Sequence, residues 1–197
     1  LRNRRQRQMC IRDSDRRAYR ISVKREEHGR MSSLLHEQLK VGDSIAVQRP
    51  GGDFVLRPGN RPVVLLAGGI GITPLLSMYE TLSHESEDRQ VTLVHVVRDP
   101  DHHPFNEEVE RWTASSPRLR AHVWYTREGA VPDEGMPKGA PEARQLAVRP
   151  RGEDLEALLP GLEADFYLCG PPSFVLGLSV YLQSRGVPRS QIAVETF

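Results

Sequence analysis

Residues 63–74 read Val63-Val64-Leu65-Leu66-Ala67-Gly68-Gly69-Ile70-Gly71-Ile72-Thr73-Pro74. The unbroken apolar run suits a strand covered on both faces of a parallel sheet. Gly68, Gly69 and Gly71 permit a tight turn whose main-chain N–H groups a ligand can approach closely. Thr73 and Pro74 suit an N-cap and a first helical residue. Such a strand, glycine turn and helix start attract an anion, a phosphate above all. The same grammar also serves tight packing alone, so a second element is needed to decide. The stretch is not a P-loop, because no Gly-Lys-Ser/Thr follows, and it lacks the third glycine of the dinucleotide fingerprint.

Working outward, the downstream chain alternates strands and helices. The pattern predicts strand 63–66 with helix 74–82, strand 91–97 with helix 105–112, and strand 120–125. The Gly/Pro-rich stretch 129–151 reads as a mobile loop followed by a short helix. Strand 165–169, helix 172–183 and strand 191–194 complete the series. This alternation predicts an α/β doubly wound parallel sheet, which binds ligands at the carboxyl ends of its strands. Upstream of Arg61 the grammar changes to short strands and turns, marking a domain boundary. Residues 18–24 alternate Tyr19, Ile21 and Val23 with polar neighbours, and residues 41–47 form a second candidate strand after Gly42-Asp43. A helix is expected after Gly29, and Pro50-Gly51-Gly52-Asp53 is a turn.

Composition is that of an ordinary globular enzyme: 197 residues, 38% hydrophobic and 27% charged, with Lys+Arg 27 against Asp+Glu 26. This length supports one large or two small cores. The charge balance gives no reason to expect nucleic acid, although the N-terminus is locally basic. The two cysteines, Cys10 and Cys169, cannot build a disulfide framework. No apolar run is long enough to span a bilayer, and a cytoplasmic location is the default expectation. The chain opens on Leu1 and is expected to be a fragment.

The second element is Leu168-Cys169-Gly170-Pro171-Pro172, a strand end that delivers its residues to the same rim as residues 68–74. Two converging turns make a site. Cys169 alone reads more readily as a small buried residue than as a reactive thiol. Taken together, the two motifs resemble those of the ferredoxin-NADP reductase superfamily. The reductase part of flavohaemoglobins and related electron-transfer fusions is the subgroup resembled, through Tyr19-Arg20-Ile21-Ser22-Val23-Lys24-Arg25-Glu26 and Gly51-Gly52-Asp53-Phe54 as well. The resemblance implies a partial flavin-binding antiparallel β-barrel over residues 1–58 and a nicotinamide-binding domain over 59–197. It implies that Gly68, Gly69, Gly71, Thr73 and Pro74 hold the nicotinamide dinucleotide, with Cys169, Gly170 and Pro171 beside its ring. Glu195 is implied to sit at the flavin and Phe197 near the flavin ring, with Cys169 and Glu195 shaping the catalytic centre.

The flavin side departs from the family pattern. Where relatives carry Arg-x-Tyr-Ser, this chain has Arg7-Gln8-Met9-Cys10, so only the Arg for the flavin diphosphate persists. A thioether lacks the phenol's hydrogen bonding, and a thiol donates more weakly than a hydroxyl. The second flavin element, Gly29-Arg30-Met31-Ser32-Ser33, matches, with Ser32 and Ser33 expected on the diphosphate. Too little chain precedes Arg7 to close the family's barrel, so unpaired strand edges and exposed apolar surface are expected. Residues 1–14 are expected to be foreign to the family.

The resemblance implies hydride transfer from NADPH or NADH to FAD, then single electrons to a haem or iron-sulfur acceptor on another domain or protein. Thr126-Arg127 falls where phosphate-preferring members bind the 2′-phosphate, which favours NADPH, against the alternative of a solvated arginine. His102-His103 precedes Pro104 in a polar loop without metal-ligand spacing, and no metal is expected. His95 reads as a core or rim residue, and Glu107 and Glu108 as a solvated helix start. Three readings stay open: a flavin-dependent reductase module, a nicotinamide-binding domain without flavin, and a non-catalytic interaction fragment.

Overall fold

In this computed structural model, residues 10–15, 18–47, 51–84, 88–127, 142–145 and 151–197 are described. In chain order the elements are β1 (Cys10–Asp15), β2 (Ala18–Ser22), α1 (Arg30–Glu37), β3 (Val63–Gly68), α2 (Ile72–His84), β4 (Val91–Val97) and α3 (Asn106–Ser115). They continue as β5 (Leu119–Tyr125), β6 (Glu142–Gln145), α4 (Gly152–Glu156), β7 (Asp165–Gly170), α5 (Pro172–Ser184) and β8 (Ile192–Thr196).

The apolar run at 63–66 is the inner strand that its composition demands. All of β3 is buried, and it pairs in parallel with β4 on one side and with β7 on the other. The six-stranded sheet has the order β6-β5-β4-β3-β7-β8, with every pairing parallel. Alternate residues of β3 serve opposite faces. Val63, Leu65 and Ala67 meet Leu75, Tyr79 and Leu82 of α2 and Val109 and Trp112 of α3. Val64 and Leu66 share the other core with Leu155 of α4 and Val175, Leu178 and Leu182 of α5. Helices on both faces make the sheet doubly wound, as the alternation predicts.

The amino ends of the strands are tied by a buried ion pair. Arg89 is 4% exposed; its Nε donates to the Arg61 carbonyl at 3.0 Å, and its guanidinium lies 3.6 Å from Asp165. Residues ahead of the sheet dock on it. Phe54 and Leu56 pack against the core, Phe54 meets the Tyr167 ring edge-on, and Arg57 N–H donates to the Tyr167 hydroxyl at 2.8 Å.

Two expectations are corrected. Residues 41–47 form no ladder; Val41, Ile45 and Val47 are exposed, and Gly42 and Asp43 sit in a turn closed by Asp43 N–H to Lys40 O at 3.1 Å. An alternating segment becomes a strand only beside a partner, and among the described residues it has none. Within the stretch expected to be loop, β6 pairs with β5 through main-chain bonds. Its sequence, Glu142-Ala143-Arg144-Gln145, shows neither alternation nor β-branched residues, so the edge pairing left no pattern to read. The short helix expected after that stretch is α4.

Candidate functional site

The sheet changes direction at β3, whose neighbours β4 and β7 lead away on opposite sides. The crevice between the carboxyl ends of β3 and β7 is therefore the place where such sheets take ligands. Both sequence motifs converge there, since Ala67 is registered with Cys169. Gly69–Gly71 form one 3-10 turn ahead of α2. Gly69 is exposed at φ +55, and a Cβ there would meet nothing within 4 Å, so the turn presents bare main chain to the crevice. Gly68 and Gly170 are buried, and a Cβ on Gly68 would reach Phe174 at 3.0 Å and Pro171 at 3.1 Å. Gly71 has another role: a Cβ there would overlap the Cys169 carbonyl and the Gly170 nitrogen. It lets α2 close on β7.

The cap reading of Thr73 is corrected. α2 begins at Ile72, and the Thr73 hydroxyl donates back to the Ile70 carbonyl at 3.0 Å while the residue is 6% exposed. Pro74 is the third helical residue, where a missing N–H still costs no helical bond. At the other rim Pro171 caps α5 and Pro172 opens it. Cys169 is 0% exposed, within the core beneath the turn. Its neighbour across the ladder is Glu195 of β8, half-buried, and Phe197 beyond it is 37% exposed. Cys169 and Glu195 are thus register partners at the carboxyl ends of β7 and β8, the first buried and the second half-buried.

Behind the turn lies a polar cluster that the sequence did not reveal. His95 of β4 is 3% exposed, and its Nε2 stands 2.9 Å from the Gly69 carbonyl oxygen. Burial pushes its pKa down to about 3, and burial likewise lowers His103 to about 4. The two rings meet edge to face at 5.3 Å, and His103 Nδ1 is 3.1 Å from the Tyr125 hydroxyl. The only hint in the sequence is a histidine inside the predominantly apolar strand 91–97.

At the ends of β4 and β5, Arg127 is not the free cation that the sequence suggests. It pairs with Asp99 at 3.1 Å, and Asp99 also accepts from His102 and lies 3.8 Å from Arg98. These partners, His102 first and Arg127 next, hold the Asp99 carboxyl below its ordinary range. Thr126 is half-buried, with its N–H donated to the Val97 carbonyl at 2.9 Å. The acidic residue at the end of β5 comes from the segment after β4. His102 and His103, neighbours in sequence, part company: one bonds Asp99 and the other faces His95 and Tyr125.

On the N-terminal side, Gly29 caps α1 as expected, but Ser32 is corrected. It is 4% exposed; its hydroxyl donates to Gly29 O at 3.0 Å and accepts from Glu26 N–H at 3.2 Å. A hydroxyl engaged on both sides closes the helix entry and is not offered to a diphosphate. Gly29 is required there because a Cβ would overlap that hydroxyl. Ser33 is half-buried, with its N–H on Gly29 O at 2.9 Å, and Met31 is 49% exposed. Arg7, expected on the flavin diphosphate, and most of residues 1–14 lie outside the described residues.

The crevice fits an extended anionic ligand at its β3–β7 end: bare main chain at a helix start, flanked by Gly170 and Pro171. The model of the oxidoreductase NAD-binding domain family matches residues 65–179. The flavohemoprotein of Deinococcus radiodurans is 38% identical over 179 residues, which cover 91% of this chain and 43% of that protein. The chain spans less than half the length of the curated relatives it matches. Among solved structures, the flavohem-like FAD/NAD binding domain of nitric oxide dioxygenase from Vibrio cholerae is similar with a TM-score of 0.69 and 32% identity, covering 91% of this chain and 71% of that one. The ferredoxin reductase in carbazole 1,9a-dioxygenase is similar with a TM-score of 0.67 and 26% identity, over 91% of this chain and 51% of that one.

Proposed function

The chain belongs to the oxidoreductase NAD-binding domain family, within the ferredoxin-NADP reductase superfamily, and from that premise we propose that it is the reductase module of a flavohaemoglobin-type protein. Residues 59–197 bind NAD(P)H and residues 1–58 face FAD. The observation that carries this reading is the exposed Gly69 turn opposed by Gly170 and Pro171 at the switch point of the sheet. When bound, the nicotinamide supplies a hydride and the flavin passes electrons singly to a haem or iron-sulfur partner.

The chain's own work is orientation. Main-chain N–H groups at the Gly69–Gly71 turn and the start of α2 hold the diphosphate. Gly170 and Pro171 leave a flat wall for the nicotinamide, with the Cys169 thiol beneath it and Glu195 at its open side. At the ribose end, Arg98 and Arg127 bring two guanidinium groups to the single Asp99 carboxylate. That surplus of positive charge favours NADPH over NADH. Among the described residues no helix is long and apolar enough to cross a membrane, and we place the module in the cytoplasm.

A second reading, nicotinamide binding without flavin, is favoured by the engaged Ser32 hydroxyl. Adding FAD to the purified chain, recording visible absorbance, and then measuring ferricyanide reduction with NADPH and NADH separates the two. The expected result is flavin uptake with faster turnover on NADPH. Coenzyme binding without flavin uptake establishes the second reading, and binding of neither coenzyme nor flavin overturns both.

A further inference from the structure

The largely buried cluster behind the turn is drawn into none of these steps, yet it touches the one exposed glycine of the crevice. Gly69 O accepts from the Ile72 N–H that closes the 3-10 turn, and His95 Nε2 stands 2.9 Å from the same oxygen. A carbonyl oxygen only accepts, so the proton of His95 is on Nε2. Both lone pairs of that oxygen are thereby held from inside the fold. The peptide unit is planar, and the chain has no cis peptide among its described residues, so the Ile70 N–H of the same plane points the opposite way, toward the crevice. Without a side chain, Gly69 at φ +55 has the freedom to turn this plane over. Something must hold it.

We propose that His95 is a positioning residue for the coenzyme: it fixes the Gly69–Ile70 peptide so that the Ile70 N–H faces the diphosphate. The inference rests on the reading of this turn as the diphosphate site. Three surroundings support it. The His95 ring stays neutral, because burial lowers its pKa to about 3, and it therefore keeps one donor and one acceptor. His103 covers the ring at 5.3 Å and is itself steadied by the Tyr125 hydroxyl. The loop carrying His103 is turned back by Asp99, whose carboxylate accepts the His102 N–H at 3.2 Å. The ends of β4 and β5 and the glycine turn are thus joined by one chain of contacts.

The test compares wild type with His95→Gln, which keeps an N–H donor at the position of Nε2, and with His95→Leu, which keeps bulk and removes the donor. Calorimetric titration with NADPH and NADH is expected to show about tenfold weaker binding for His95→Leu and a loss of no more than about threefold for His95→Gln. Thermal melting of all three proteins accompanies it. Nitrogen-15 resonance of the wild-type imidazole is expected to show a neutral ring protonated on Nε2, with or without coenzyme. A ring protonated on Nδ1 overturns the proposal, as does equal weakening in the Gln and Leu variants. If wild type binds and His95→Leu binds as well, the proposal alone falls. If wild type binds neither coenzyme, the diphosphate reading falls and takes the proposal with it.

Discussion

Along β3 every residue from Val63 to Ala67 is at most 1% exposed, while between residues 31 and 55 the apolar side chains Met31, Leu34, Val41, Ile45, Val47 and Val55 are each at least 42% exposed. Both stretches carry apolar residues; only the first has neighbours to bury them. The parallel sheet supplies its own partners, because β3 lies between two strands and is covered by helices on both faces. The N-terminal stretch has a turn at Gly42 and a helix at α1, and apart from Phe54, which docks on the sheet core, these exposed apolar side chains have no second layer among the described residues. What holds it is local and polar: Ser32 at the helix entry, His36 Nε2 on Val23 O at 2.8 Å, and exposed ion pairs such as Arg25–Glu37. Exposed pairs of that kind contribute about 0–1 kcal/mol each. Apolar sequence thus yields a core only where the chain also provides the facing surface.

The comparison breaks most visibly at the buried Arg89–Asp165 pair, since the sheet half depends on buried contacts and the N-terminal half does not. Asp165→Ala leaves the Arg89 guanidinium, 4% exposed, without its carboxylate. A loss of about 3–5 kcal/mol in unfolding free energy is expected from urea titration. The equivalent change at the surface, Glu37→Ala, is expected to cost under about 1 kcal/mol. Equal losses would end the distinction between the two halves.

Acid gives the next effect. Burial lowers His95 to about 3 and His103 to about 4, whereas the unfolded chain titrates near the ordinary histidine value of about 6.5. Below that value the unfolded state binds protons that the folded state refuses, so stability falls as pH falls. The slope is about 1.4 kcal/mol per pH unit for each ring, from about pH 6.5 down toward the folded values. Chemical unfolding measured at pH 7, 6 and 5 is expected to show it, and the double variant His95→Gln/His103→Gln is expected to flatten it. An unchanged slope in that variant would place the acid sensitivity elsewhere.

The same burial argument explains what the sequence could and could not convey. Strands β3, β4, β5, β7 and β8 were legible because their apolar runs or alternation match a covered sheet, and the two motifs at 68–74 and 168–172 were legible because glycine and proline mark turns. β6 was not, since Glu142-Ala143-Arg144-Gln145 carries neither alternation nor β-branched residues. The pairing of Arg127 with Asp99 was not legible because Asp99 lies in another loop, and nothing along β5 records that meeting. Ser32 was misread because a serine at a helix start suits a ligand and an internal cap equally well. The His95 contact with Gly69 joins residues far apart in sequence, and no local pattern encodes it.

The smallest expected effect sharpens the comparison best. Val41 is fully exposed, so Val41→Ser removes no buried contact and creates no cavity. Its expected effect on unfolding free energy is within about 0.5 kcal/mol. Leu65→Ala, at a site 0% exposed, is expected to cost about 2–5 kcal/mol by the same measurement. The two apolar residues differ only in what faces them. A loss above about 1 kcal/mol in Val41→Ser would mean that residues 41–47 find a buried surface in solution, as their alternation calls for, and the exposed N-terminal face would then be a partnered one.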